Sequence, residues 1–159
     1  MRHVLVLMMT GLCLGGCMTY GGLGREGGQS EDEVRAKLGD PAHRYERDDK
    51  EIWEYDHGPY RYYGYHLVFN ASHTLEQIVQ TRTEENVATI EPHKATRDDV
   101  HAIIGWPTHE YQIRGMTIWE WPMINKMGLP ARLAVQFADD GTVDSLGIYL
   151  LSDGSAHSH

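Results

Sequence analysis

Histidines, adjacent acid pairs and one glycine-rich hexapeptide are the residues of this 159-residue chain whose types could carry chemistry. Nine of the ten histidines lie past residue 17, at 43, 57, 66, 73, 93, 101, 109, 157 and 159. They form no His-x3-His or His-Glu-x-x-His pair, and no cysteine follows Cys17, so no structural metal site is expected. His157-Ser158-His159 offers adventitious binding only. The acid pairs Asp48-Asp49, Glu84-Glu85, Asp98-Asp99 and Asp139-Asp140 fall in turns, a connector or a helix start. Water and the helix dipole accommodate acids there, whereas a general acid and base must converge on one reacting centre. With no G-x-S-x-G elbow, no cysteine nucleophile and no phosphate loop, neither an enzyme nor a small-molecule substrate is expected. Residues 22–27 match G-x-G-x-x-G. That fingerprint needs a strand before it and a helix after it, and a leader stands there instead. No cofactor is expected.

The first 17 residues, MRHVLVLMMTGLCLGGC, place a basic Arg2 before a largely apolar run and end in small residues and Cys17. The run is too short to span a bilayer and reads as a secretory signal. Leu14-Gly15-Gly16-Cys17 resembles the bacterial lipobox, which implies cleavage after residue 16 and lipidation of Cys17. Cys13 then leaves with the leader, and the remaining body has no thiol and no disulfide.

The chain carries 14 basic and 23 acidic residues; without Arg2 these become 13 and 23, a net charge of -10. Such a body is repelled by nucleic acid and by anionic head groups. Membrane attachment is therefore expected through the lipid on Cys17, where each buried methylene contributes ~0.8 kcal/mol. Met18 follows the cysteine. By resemblance to Gram-negative lipoprotein sorting, where Asp at that place retains the protein in the inner membrane, Met18 implies the outer membrane.

The elements come in a tandem repeat. SEDEVRAKLGDPAHRYERDDKEIWEYD from Ser30 recurs 66 positions later as TRDDVHAIIGWPTHEYQIRGMTIWEWP from Thr96. The shift aligns Val34 with Val100, Gly39 with Gly105, Pro41 with Pro107, and Ile52-Trp53-Glu54 with Ile118-Trp119-Glu120. After a two-residue slip Phe69 meets Phe137. Self-similarity kept through turn residues and aromatics marks a duplicated unit. Each copy predicts a capped helix of about two turns followed by four antiparallel strands. The fold class expected is α+β: two tandem units, each a short helix packed on a four-stranded antiparallel sheet. The predicted organisation is a leader at 1–16, lipidated cysteine and Gly-rich tether at 17–29, and repeat one at 30–83. A linker at 84–95, repeat two at 96–151 and a polar tail at 152–159 follow. The tether would span roughly 20 Å as a flexible coil.

Trp53, Tyr55, Trp119 and Trp121 recur at equivalent positions and are expected to fill the two cores. Protein contact is expected where the copies differ. Tyr60, Tyr62 and Trp106 are non-repeated aromatics, with Tyr62 placed on a wet face beside His66. A long loop at 122–130 offers Met123, Ile124, Met127 and Leu129, side chains suited to an adaptable partner surface or to covering the seam between repeats.

Lipobox, Gly-rich tether, [ST]-x-x-[DE]-V, Gly-x-Pro and Trp-x-[Tyr/Trp] together resemble the BamE (SmpA/OmlA) family of outer-membrane lipoproteins. They also resemble the tandem β-lactamase-inhibitor-like group. The resemblance covers about residues 30–150. It implies a periplasm-facing accessory of the barrel-assembly machinery, or alternatively a protein-binding module that inhibits an enzyme. BamE is usually a single unit and carries a Gln-Gly-Asn segment before its helix. This chain has two units, and Arg25-Glu26-Gly27-Gly28-Gln29 stands in that place.

Overall fold

The structure, a computed structural model, describes Leu23 and residues 27–151. The leader, Cys17, most of the expected tether and the tail at 152–159 lie outside the described residues. The chain is mostly β. Strands β1 (His43–Arg47), β2 (Lys50–His57), β3 (Tyr63–Phe69) and β4 (Leu75–Gln80) form one antiparallel meander. Strands β5 (His109–Ile113), β6 (Met116–Ile124), β7 (Pro130–Phe137) and β8 (Val143–Leu150) form a second in the same order. Three helices accompany them: α1 (Glu31–Leu38), α2 (Glu84–Val87) and α3 (Arg97–Ile104).

The duplication persists to the level of single hydrogen bonds. Ser30 and Thr96 each cap their helix in a full capping box, with Glu33 and Asp99 at the third helical position. Asp48-Asp49 and Arg114-Gly115 turn the first hairpin of each sheet with positive φ at both residues, matching the right-handed strand twist. Both third-to-fourth strand pairs shift register at a bulge, at Val68/Phe69 and Gln136/Phe137. The Tyr55 hydroxyl donates to Gly39 O at 2.9 Å, and the Trp121 indole, at the equivalent position, donates to Gly105 O at 3.2 Å. The two-residue slip is one extra rung, Ile124↔Pro130, on the β6–β7 hairpin.

Each sheet buries one face. Trp53, Leu67, Phe69 and Leu75 pack with Val34 of α1. Trp119, Trp121, Leu133, Val135 and Phe137 pack with Val100 and Ile104 of α3. Three expectations need correction. The expected loop at 122–130 shrinks to residues 125–129, because Pro122, Met123 and Ile124 continue β6. Proline is tolerated there because β5 pairing ends at Glu120, leaving one edge of β6 unflanked. Met123 is consequently fully buried in the second core and cannot meet a partner. The stretch expected to link the repeats sends Val87 and Ile90 into that same core. The tether, expected to bury nothing, places Leu23 in the first core, and Gly28 N donates to Leu75 O.

Trp53 is fully buried. Its ring lies 4.7 Å from Phe69, with the guanidinium groups of Arg35 and Arg44 over it at 5.0 and 4.7 Å. Truncating Trp53 or Trp119 to Ala should destabilise the fold by ~3–5 kcal/mol. Tyr60→Ala, at a side chain 80% exposed, should cost under ~0.5 kcal/mol. Urea melts would reveal a wrong assignment of the faces if that order were reversed.

Candidate protein-contact surface

The two loops in which the repeats differ lie at one end of the molecule. Between β2 and β3, Pro59–Arg61 makes a single 3-10 turn that packs along β6. Tyr60 and Arg61 both hold φ near +60°, a conformation that L-residues adopt only under constraint. The constraint is Arg82, whose buried guanidinium donates to Arg61 O at 2.5 Å and pairs with Asp56. The equivalent loop, residues 125–129, is anchored beside it by Lys126 N donating to Glu84 Oε1 at 2.9 Å. Asn125 Oδ1 accepts from Met127 N and Leu129 N, fixing the loop internally.

These anchors leave the apolar tips outward. Tyr60 stands fully out, with Tyr62 half-buried 5.7 Å from it, and Met127 and Leu129 are exposed at 65% and 45%. Ile124 is half-buried at the end of β6. Of the seven contact residues expected from the sequence, four therefore share this exposed end. Met123 belongs to the core, and Trp106 lies elsewhere.

Trp106 lies at the seam between the repeats, around a buried carboxylate that the sequence reading did not single out. Glu54 points from the outer face of the first sheet and is 2% exposed. Its Oε1 accepts from Trp106 N at 2.8 Å, in the turn that ends α3. Its Oε2 lies 3.7 Å from His66 Nε2 and 3.8 Å from His101 Nε2. His66 is thus buried, not on a wet face as expected. Rings close the seam: Trp106 stacks 4.5 Å from His101 and 5.2 Å from His43, and Tyr45 lies 4.6 Å from His101. Gly105, with φ of 97°, is required, since a Cβ there would lie 2.4 Å from Glu54 Oε1. Burial pushes the Glu54 carboxyl up. Its attraction to His101 and His66 and the Trp106 amide outweigh burial and bring it down to about 2. The one available sequence signal was the repeated Ile-Trp-Glu, an acid flanked by core residues in both copies.

Among the described residues, Glu31, Glu51 and His73 bring potential ligand atoms together, but Arg44 pairs with both glutamates and already supplies the positive charge. The buried seam carboxylate is enclosed by rings and offers no open position to a reactant.

No family model matches the chain, and no curated protein matches it. Among solved structures, a DUF4309 family protein (YjgB) from Bacillus subtilis is similar at 15% identity, with a TM-score of 0.32. The likeness spans 77% of this chain and 79% of that one. A likeness so distant carries no argument about function.

The seam makes a pH prediction. Because the Glu54 carboxyl titrates lower in the fold than its ordinary 4.5, its stabilisation is complete above about 4.5 and is lost as pH falls through about 2. Glu54→Gln should lower stability at neutral pH by about 3 kcal/mol and flatten the acid limb of the stability curve. Residual acid sensitivity comes from the other carboxyls held low, among them Glu33 and Asp99 by the backbone N–H groups of Ser30 and Thr96, Glu76 by Lys50 and Asp140 by Thr142. Superimposable acid limbs for the two proteins would mean that Glu54 is not the titrating group.

Proposed function

We propose that this chain is a lipid-anchored, protein-binding lipoprotein of the Gram-negative outer membrane, with its folded part in the periplasm. In this reading it is an accessory or scaffold for β-barrel assembly or envelope integrity and not an enzyme. The observation that carries the reading is the surface bearing exposed Tyr60, Met127 and Leu129 beside half-buried Tyr62, its two loops set by buried Arg82 and by Glu84. Tyr and Met are enriched in interface cores, and a strained, pre-set loop loses little freedom when it docks. The apolar leader and Cys17 support the anchor, and the acidic body supports attachment through lipid rather than through a basic face. The BamE-like resemblance extends the reading to architecture, with each half an αβ unit whose short helix packs on a four-stranded sheet. Val34 against Trp53, and Val100 and Ile104 against Trp119, support that packing.

Affinity capture from mildly solubilised envelopes tests the proposal. The wild-type chain should recover barrel-assembly subunits. Tyr60→Ala combined with Met127→Ser should lower recovery tenfold or more, about 1.4 kcal/mol, with an unchanged melting temperature. The Cys17→Ser chain should leave the membrane fraction. Undiminished recovery by the double variant would refute this contact surface. Recovery of a single soluble hydrolase would replace the assembly role with inhibition.

A further inference from the structure

We propose that copies of this chain associate head to tail, the turn that ends α1 in one copy seating on the outer face of the second sheet in the next. This surface is distinct from the apolar end proposed for other partners. The molecule already contains the template, because the turn that ends α3 sits in this way on the outer face of the first sheet. There Trp106 N donates to Glu54, and His101 faces the same carboxylate.

Both halves of that joint recur, not joined to each other within one copy. The receiving acid recurs as Glu120, beside Tyr111 in place of Tyr45 and His109 in place of His43. The inserting turn recurs as Gly39-Asp40-Pro41, matching Gly105-Trp106-Pro107. A Cβ on Gly39 would meet nothing within 4 Å, whereas one on Gly105 meets Glu54. The inserting turn of α1 is therefore open, with Gly39 and Asp40 exposed.

Charge and volume then match across the proposed joint. Arg35 replaces His101 and would face Glu120. Asp40 replaces Trp106 and would face the exposed His109. Arginine is larger than histidine, and the receiving face has room for it. Across from Glu54 the first sheet is filled by His66 and Val79, while across from Glu120 the second carries Ala134 and Gly147, with the Tyr149 ring folded over the glycine and the space above Ala134 left open. The result is a groove of about 250 Å³ floored by Ile118, Ala134 and Gly147 and edged by Tyr111 and Tyr149. Glu120 is already held by the Tyr111 hydroxyl at 2.7 Å and Arg132 at 3.2 Å, so it is pre-set toward the groove rather than free to fold away. Such a contact is heterologous, so each added copy presents a fresh receiving face and the assembly grows as a chain.

Sedimentation velocity on the full chain in a concentration series tests this. The wild type should sediment faster as concentration rises. Ala134→His, which fills the groove as His66 fills the first sheet, should remain monomeric. Asp40→Arg, at an exposed side chain, inverts the charge that would face His109 of the partner while leaving Arg35 over Trp53 and paired with Asp32, and should also remain monomeric. Melting temperatures near wild type verify that both variants fold. An equimolar mixture of the two variants retains one good turn and one good groove, so it should form a 1:1 dimer and nothing larger. A wild type that stays monomeric at every concentration overturns the proposal. So does association that survives in either variant alone, or a mixture that fails to pair when the wild type does.

Discussion

The two halves of this protein meet around one buried carboxylate, Glu54. It is taken out of water on the outer face of the first sheet, where an isolated charge would cost several kcal/mol. The second half satisfies one oxygen through the amide of Trp106 at 2.8 Å and leaves the carboxylate room with a glycine at 105, while the other oxygen makes no hydrogen bond and faces the imidazoles of His66 and His101 at 3.7 and 3.8 Å. Moving the halves apart would break the bond from the Trp106 amide and re-expose the rings packed around the carboxylate. Helix α3 therefore serves both halves, packing Val100 and Ile104 on its own sheet and presenting its final turn to the other.

The same logic explains how two copies of one unit came to differ. Positions inside each core keep their character, because duplicated cores must be filled by comparable volumes. The outer faces are released from that requirement and diverge. The first has His66 and Val79 beneath the α3 turn. The second has Ala134 and Gly147, with Arg132 and Tyr111 satisfying Glu120 in place of a neighbouring repeat. Divergence also lengthened the β6–β7 hairpin by one rung, which carried Pro122 and Met123 into the sheet. The loops left at that end carry the exposed tyrosines and Met127.

Local rules made much of this legible in the sequence. Capping boxes at Ser30 and Thr96, Gly-x-Pro stops and the turns at Asp48-Asp49 and Arg114-Gly115 placed the helices and hairpins within a few residues. The repeated tryptophans marked the cores. What stayed hidden depends on contacts between units. Glu54 looks like any strand acid until α3 of the other copy covers it, and His66 looks wet for the same reason. Met123 falls in the loop expected at 122–130, and only the early end of β5 makes Pro122 harmless within the strand. Leu23 and Ile90 lie in segments whose composition reads as linker, yet each docks in a core. Tyr60 and Met127 were legible as repeat differences, but their shared end required Arg82 and Glu84 to be seen in place.

Native-state hydrogen exchange at the Trp106 amide, compared with the equivalent Asp40 amide in the same sample, tests the central claim most directly. If Glu54 locks the seam, the Trp106 amide opens only when the halves separate, and its exchange is slower than that of the exposed Asp40 amide by orders of magnitude. Equal, fast exchange at both amides would contradict the account, because the buried carboxylate would then not be holding the turn.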